Sequence, residues 1–128
     1  MLETRFVTGA DGTRIAWDET GSGPAVVLVH GLGSSRRRWD RLASELEHAG
    51  FRALRLDLRG FGQSGGAERR SGMAELVSDL ESFVEHVGLE RFHLVGHSLG
   101  GMLSQLYVVR APERVQSLVL ASTTSHNG

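Results

Sequence analysis

The chain contains no cysteine and no lysine. Without a thiol it offers no cysteine nucleophile, no disulfide and no thiolate metal site. Without a lysine ammonium it has neither a Schiff-base lysine nor the lysine of a phosphate-binding P-loop. All 14 basic residues are arginines, and 15 acidic residues bring the formal net charge to −1. This balance argues against a nucleic-acid partner and against an anionic membrane surface.

Long hydrophobic runs are also missing. No apolar stretch approaches the length of a membrane span, and the N-terminal residues Met-Leu-Glu-Thr-Arg-Phe contain no hydrophobic signal core. We therefore expect no membrane association and a cytoplasmic location. Residues 1–128, 40% of them hydrophobic, suffice for one domain that buries about two-thirds of its unfolded surface.

Hydrophobic periodicity predicts an alternating α/β chain. An opening hairpin of two strands contains Asp-Gly, a strong turn signal, and an apolar run rich in valine indicates a strand buried on both faces. The pattern then alternates between helices and strands, which predicts a three-layer α/β/α fold with a mainly parallel six-stranded sheet after the hairpin. The predicted strands cover 3–8, 13–19, 25–29, 51–58, a run from Phe92, and 115–121; the predicted helices cover 39–49, 73–87 and the run after Ser98.

Two stretches in this pattern have more than one interpretation. The strand 51–58 alternates leucines with Arg55 and Asp57, so we expect it to be less buried than its neighbours. The run 36–38, three arginines just before a helix, is unfavourable beside the positive helix N-terminus. It indicates either an anionic substrate or, by default, a solvated face.

A sharp bend at Ser98 carries the chemistry of the chain. The sequence Gly96-His-Ser98-Leu-Gly100 stands between a strand and a helix, so the serine hydroxyl is lifted to the end of the sheet and becomes the candidate nucleophile. Gly96 and Gly100 allow strand and helix to approach closely, and the serine backbone should be strained. The alternative is a glycine-rich helix cap with an incidental serine. The Leu99 N–H, at the helix start, would face an oxyanion.

A second glycine-rich loop follows the third strand. His30-Gly31-Leu32-Gly33 lets backbone approach a ligand, and Leu32 is the predicted second amide donor. A plain tight loop is the alternative. We expect His30 to brace this loop rather than to act as a base. In open parallel sheets such loops converge at the strand C-termini.

The three motifs in order, His30-Gly-x-Gly, Asp57-x-Arg-Gly-x-Gly-x-Ser and Gly96-His-Ser-x-Gly-Gly, resemble the α/β-hydrolase superfamily. The branch that they resemble contains esterases, enol-lactonases and C–C-bond hydrolases, whereas the haloalkane dehalogenase branch places aspartate at the position of Ser98. The resemblance implies attack on an ester or lactone through an acyl-enzyme, with no metal and no cofactor. It also implies that Asp57 organises its turn together with Arg59.

The chain departs from the family pattern after strand six. In the family, the catalytic triad runs serine, acid, histidine along the chain, and the acid and the histidine follow strands that this chain lacks. The resemblance therefore implies a truncated fold without strands seven and eight and without a cap. No acidic residue follows Glu113, and the one later histidine is His126. Asp57 and His126 are weaker candidates as catalytic groups, and His97 should point away from the nucleophile. A catalytically incomplete, partner-dependent scaffold is therefore the alternative function.

Two further expectations follow from the same reading. The strand 115–121 is mostly apolar and uncharged, and as a sheet edge it should pair with another copy of the chain. The glycines of 60–65 match the spacing of a dinucleotide-binding loop, but no helix opens directly from them and Glu85 falls inside a helix. We therefore exclude dinucleotide binding.

Overall fold

A computed structural model describes residues 2–68 and 70–122. Within these residues the six strands are β1 (Arg5–Thr8), β2 (Arg14–Thr20), β3 (Ala25–Val29), β4 (Arg52–Leu56), β5 (Phe92–His97) and β6 (Val115–Ala121). The three α-helices are α1 (Asp40–His48), α2 (Met73–Val87) and α3 (Leu99–Arg110), with short 3-10 helices at Arg36–Trp39 and Pro112–Arg114. The predicted order of strands and α-helices is confirmed, with small differences at element ends.

The strands form a single sheet in the spatial order β1-β2-β4-β3-β5-β6, within the part of the chain that the structure describes. β1 and β2 are an antiparallel hairpin, and β2 also lies antiparallel to β4. β4, β3, β5 and β6 run parallel to one another. The mainly parallel six-stranded sheet is therefore confirmed, with the hairpin supplying two of its strands.

Helices cover both faces of this sheet. α2 and α3 lie on one face, where Phe83 and Leu103 share a buried cluster with Val27. α1 lies on the opposite face, where Ala43 clusters with Val26. Val26 and Val27 are adjacent in β3 and successive strand residues point to opposite faces, so the two clusters flank the sheet. The three-layer α/β/α fold is confirmed. Among the described helices none is long and apolar enough to cross a membrane.

The expectation that the fourth strand would be less buried than its neighbours is wrong. Arg55 and Asp57 are both buried, as are all residues of β4 after the first. Arg55 lies directly opposite Asp18 of β2, and its Nε donates to Asp18 Oδ1 at 2.6 Å. The polar alternation reflects buried ion pairs between strands, because a charge can be buried when a neighbouring strand supplies its partner.

β6 lies at the end of the described sheet, beside β5 only. Val119 is 53% exposed and Leu120 is also exposed, although both are large apolar residues. Leu118 instead packs against the buried cluster that contains Leu103 of α3. The outer part of this sheet, in the described residues, therefore presents apolar surface.

The fold brings the three sequence motifs together. β3, β4 and β5 are adjacent and parallel, so their C-terminal ends lie along one edge of the sheet. The loop 30–35, the turn 57–65 and Ser98 leave the sheet at this edge.

Candidate active site

Ser98 occupies the bend between β5 and α3. Its backbone has φ +54° and ψ −120°, a conformation that costs a non-glycine residue about 1–3 kcal/mol. The Ser98 N–H donates to the Ala121 carbonyl at 3.2 Å, and the Ser98 carbonyl accepts from the N–H groups of Gly101 and Met102 at 2.9 and 3.1 Å. These bonds hold the strained bend that the sequence predicts. Ser98 itself is half-buried.

The glycines on either side of Ser98 permit close packing of strand and helix. A Cβ on Gly96 would lie 2.6 Å from the Gly101 Cα. A Cβ on Gly100 would collide with the carbonyl oxygens of Val29 and His30 at the end of β3. Any larger side chain would therefore push α3 away from the sheet, and Ser98 would move with it.

The loop after β3 lies beside Ser98. A Cβ on Gly31 would be 2.9 Å from the Ser98 Cβ, so the contact requires glycine. The Ser34 N–H donates to the Gly31 carbonyl at 3.2 Å, and Gly33 has φ +74°, which together close a tight turn. Leu32 stands at the apex of this turn and is 74% exposed.

The backbone around Ser98 also carries positive potential. Leu99 is the first residue of α3, and the N–H of a first helical residue has no carbonyl acceptor within its own helix. No acidic side chain lies in the first turn to offset the helix dipole. An anion beside Ser98 would therefore be stabilised from the helix side.

His30 is fully buried and braces the loop. Its Nε2 accepts the Leu58 N–H at 2.9 Å, so Nδ1 carries the proton and donates to the Gly31 carbonyl at 2.7 Å. Burial lowers the pKa of His30, which favours this neutral form. The ring also packs edge-on against Phe61. The expectation that His30 braces its loop is confirmed, and both ring nitrogens are occupied.

Asp57 is buried and organises its turn, but not with Arg59. Its Oδ1 accepts the Arg36 N–H at 2.6 Å, its Oδ2 accepts the Gln63 N–H at 2.9 Å, and its Oδ2 also pairs with the Arg36 guanidinium. A Cβ on Gly62 would collide with this carboxylate. The family resemblance implied that Asp57 organises this turn together with Arg59, but the guanidinium that pairs with the carboxylate is that of Arg36.

Arg59 has other partners. Its Nε and Nη2 donate to the two carboxylate oxygens of Asp79 at 2.6 and 2.8 Å, and its Nη1 donates to Asp11 at 2.9 Å. The Asp79 hydrogen bonds raise the pKa of Arg59 above its ordinary value. The hydrogen bond from Arg59 lowers the pKa of Asp11. Arg59 thus ties the hairpin turn to α2.

The arginine run 36–38 divides into two kinds of residue. Arg36 is buried, which contradicts both the anionic-substrate and the solvated-face interpretations for this residue. Arg37 and Arg38 are exposed, as the solvated face predicts. One sequence signal indicated that Arg36 has a structural partner: an arginine stands just before a helix, where the helix dipole disfavours it. No local pattern identified that partner.

A cleft of about 270 Å³ lies against the two predicted amide donors. Leu32, Leu99, Phe61 and Leu76 supply apolar walls. Arg59 also borders the cleft, but its charge is compensated by Asp79 and Asp11. The cleft therefore suits an uncharged, apolar group held between Leu32 and Leu99.

The His97 ring lies beside the loop after β3, where a Cβ on Gly31 would be 3.1 Å from its Nδ1. The His97 Nδ1 is buried without a hydrogen-bond partner among the described residues, and burial together with Arg38 lowers the pKa of this ring. The His93 ring bonds the Ser117 hydroxyl. His126 lies outside the described residues. No group of three histidine, aspartate or glutamate side chains in the described part of the chain is suited to a metal ion.

Comparison with known proteins agrees with this arrangement. The family model for the alpha/beta hydrolase fold matches residues 24–128. Bifunctional epoxide hydrolase 2 of Sus scrofa is 34% identical over 124 residues, which are 95% of this chain and 22% of that protein.

Solved structures show the same likeness. A hydrolase from Pseudomonas aeruginosa PA01 superposes with a TM-score of 0.92 at 31% identity, covering 98% of this chain and 48% of that one. An esterase from Exiguobacterium antarcticum superposes with a TM-score of 0.90 at 27% identity, covering 94% and 46%. The chain thus spans less than half the length of the proteins it matches. On the fold, the Ser98 bend and these matches, the chain belongs to the α/β-hydrolase family.

Proposed function

We propose that this chain carries the nucleophile and the oxyanion hole of a serine hydrolase that acts on an ester or a lactone. The strained bend at Ser98, packed against the loop 30–35, is the observation that carries the proposal. A general base takes the Ser98 hydroxyl proton as Oγ attacks the substrate carbonyl carbon and the carbonyl π bond opens to an oxyanion. Collapse of this intermediate re-forms the carbonyl and breaks the bond to the leaving oxygen, which takes that proton and departs as an alcohol. Water then hydrolyses the resulting acyl-enzyme.

The two leucine amides are the proposed oxyanion donors. Leu99 stands at the N-terminus of α3 and Leu32 at the apex of the neighbouring loop, so the two flank the Ser98 bend. Donors fixed in this way stabilise the charge that develops on the carbonyl oxygen, and removal of one such donor lowers kcat about 10²- to 10³-fold in a known case.

Acyl chemistry fits a serine better than epoxide chemistry does, although epoxide hydrolases are among the relatives. Attack of the Ser98 oxygen on an epoxide carbon would leave an alkyl ether, which has no carbonyl for water to attack. Attack on an ester or lactone leaves an acyl-serine, which water hydrolyses. Turnover through a serine therefore requires an acyl substrate, and the cleft that Leu32 and Leu99 line suits its uncharged portion.

The general base and its acidic partner are proposed to lie outside the described residues. His30, the described histidine of the adjoining loop, has both nitrogens occupied, and the Asp57 carboxylate is held by Arg36. The alternative is that this chain acts only with a partner that supplies those groups. Without a base, the oxyanion hole and binding alone leave about 10³- to 10⁴-fold acceleration over water.

Labelling with a fluorophosphonate, followed by mass spectrometry, tests the proposal. We expect covalent modification at Ser98, because phosphonylation uses the same nucleophile and the same oxyanion donors. Ser98→Ala should abolish the modification and the slow turnover of p-nitrophenyl acetate. Ser44→Ala, which changes an exposed serine of α1, is the matched control and should leave both unchanged.

The outcome also separates the two candidate functions. Rapid labelling of Ser98 indicates a base within this chain, whereas labelling only at alkaline pH supports the dependence on a partner. An identical p-nitrophenyl acetate turnover in Ser98→Ala and in the unaltered protein would refute the assignment of the nucleophile.

A further inference from the structure

Both ends of the loop 30–35 are tied to the same point of the sheet. At its beginning, His30 Nε2 accepts the N–H of Leu58 at 2.9 Å. Just after its end, the Arg36 N–H donates to Asp57 Oδ1 at 2.6 Å, and the Arg36 guanidinium pairs with Asp57 Oδ2. Asp57 and Leu58 are consecutive and directly follow β4. Both ends of the loop 30–35 are therefore attached just after the C-terminal end of β4. We call this loop the arch, its attachment at His30 the near foot and its attachment at Arg36 the far foot.

The Arg36 side chain bonds several segments of the chain. Beyond Asp57, its Nε donates to Asp18 Oδ2 at 2.8 Å, and its Nη2 donates to Thr4 Oγ1 at 2.8 Å and to Gln63 Oε1 at 2.7 Å. The residue is only 6% exposed. Its contacts join the segment before β1, the strand β2 and the turn after β4.

This arrangement requires a guanidinium rather than any cation. Asp18, Asp57 and Gln63 accept from three different nitrogens of the same planar group. A lysine ammonium in this place keeps the charge but presents its donors from one point, and it cannot reach all of these acceptors at once. Arginine to lysine at this position is therefore a test of geometry at constant charge.

We propose that Arg36 is a positioning residue for the oxyanion hole: it fixes the far foot of the arch and so holds the Leu32 N–H beside Ser98. This inference rests on the proposed function. His30 fixes the near foot, and the turn closed by Ser34 spans the distance between them. Without the guanidinium bonds the far foot keeps only the backbone bond from the Arg36 N–H to Asp57, so the apex at Leu32 is held less firmly and its amide loses its fixed direction.

The prediction is tested with Arg36→Lys, Asp57→Asn and the control Val84→Ala. Val84 is buried in α2, two helical turns beyond Leu76, which borders the cleft, so its truncation lowers stability without touching the loop. Two quantities are measured on each folded protein. One is the ¹⁵N order parameter of the amides of residues 31–34; the other is the rate of Ser98 labelling by the fluorophosphonate per folded molecule.

We expect the loop order parameters to fall from about 0.85 in the unaltered chain to below about 0.6 in Arg36→Lys, with little change elsewhere in the sheet. The labelling rate should fall at least about tenfold, approaching the roughly 100-fold loss that follows removal of one oxyanion donor. Asp57→Asn should give the same pattern. Val84→Ala should change neither quantity, although it unfolds at lower denaturant concentration.

Each arm can overturn the inference by itself. Unchanged loop order parameters in Arg36→Lys would show that the arginine does not hold the arch. A mobile loop with an unchanged labelling rate would show that the arch does not position the oxyanion donor. If the unaltered chain is not labelled at all, the proposed function fails, and the order parameters still decide whether Arg36 fixes the loop.

Discussion

Replacement of Asp79 by asparagine should destabilise the protein strongly. Asp79 lies in α2 with 1% of its surface exposed, and both of its carboxylate oxygens accept from Arg59, at 2.6 and 2.8 Å. Arg59 also donates to Ser71 at 3.1 Å and to Asp11 in the hairpin turn. The side chain of Arg59 is itself buried, so the pair joins three segments inside the protein.

The size of the effect follows from burial. Asparagine has nearly the shape of aspartate but no charge, so among the described residues Arg59 would keep only Asp11 as a counter-charge. Removal of one partner from a buried ion pair costs about 3–5 kcal/mol. Chains of 128 residues have unfolding free energies of roughly 6–19 kcal/mol at about 0.05–0.15 kcal/mol per residue. The single substitution therefore removes a large fraction of the stability.

Urea unfolding followed by circular dichroism measures this loss without the salt screening that guanidinium chloride introduces. With a slope near 2 kcal/mol per molar urea, the midpoint should fall by about 1.5–2.5 M while the slope stays constant. Asp11→Asn is the matched control, since Asp11 pairs with the same arginine but is 41% exposed. Its midpoint should change much less, because water and salt screen an exposed pair.

Two results would refute this reasoning. Equal losses for Asp79→Asn and Asp11→Asn would mean that burial does not determine the strength of the Arg59 pairs. A midpoint for Asp79→Asn that matches the unaltered chain would mean that the buried pair contributes nothing. The double variant Arg59→Met with Asp79→Leu should recover part of the loss, because it removes the unpaired buried charge.

Two further predictions concern pH and association. Burial lowers the pKa of His30 from 6.5, so below about pH 6.5 this residue binds a proton more readily in the unfolded chain than in the folded chain. The unfolding free energy should therefore fall as the pH is lowered from 7 to 5, by at most about 1.4 kcal/mol per pH unit for this group. Urea titrations should show a shallower pH dependence in His30→Gln, and an unchanged one would contradict the assignment. We also propose that the 128-residue chain in isolation associates through β6, where Val119 is exposed. Sedimentation should show dimers, and Val119→Lys should suppress them. A monomer at millimolar concentration would contradict the proposal.

Local signals were sufficient for the elements and for the bend at Ser98. The helix α2 follows from a stripe of apolar residues at helical spacing, and its end follows from Gly88, which has φ +81°. The Ser98 bend follows from Gly96 and Gly100, because only glycine fits where β5 and α3 cross. Both depend on residues a few positions apart, and such patterns are visible in a single sequence.

Burial of charge was not predictable in the same way. The alternation in β4 indicated a partly exposed strand, and the arginine run indicated a solvated face. Arg55 instead meets Asp18, 37 residues away, and Arg36 meets Asp57, 21 residues away. An isolated charged residue carries no sign of the partner that allows its burial, so its position depends on which strands become neighbours.

The sequence by itself determined the order of strands and helices, the place of the sharp bend and the residue at its apex, because these are set by local spacing and by the steric freedom of glycine. The tertiary structure alone decided that β2 lies beside β4, and thereby that Asp18, Arg36, Arg55 and Asp57 form one buried network. The physical reason is that ion pairing acts through space: the sheet order brings together charges that are far apart along the chain, and only then does their burial become favourable.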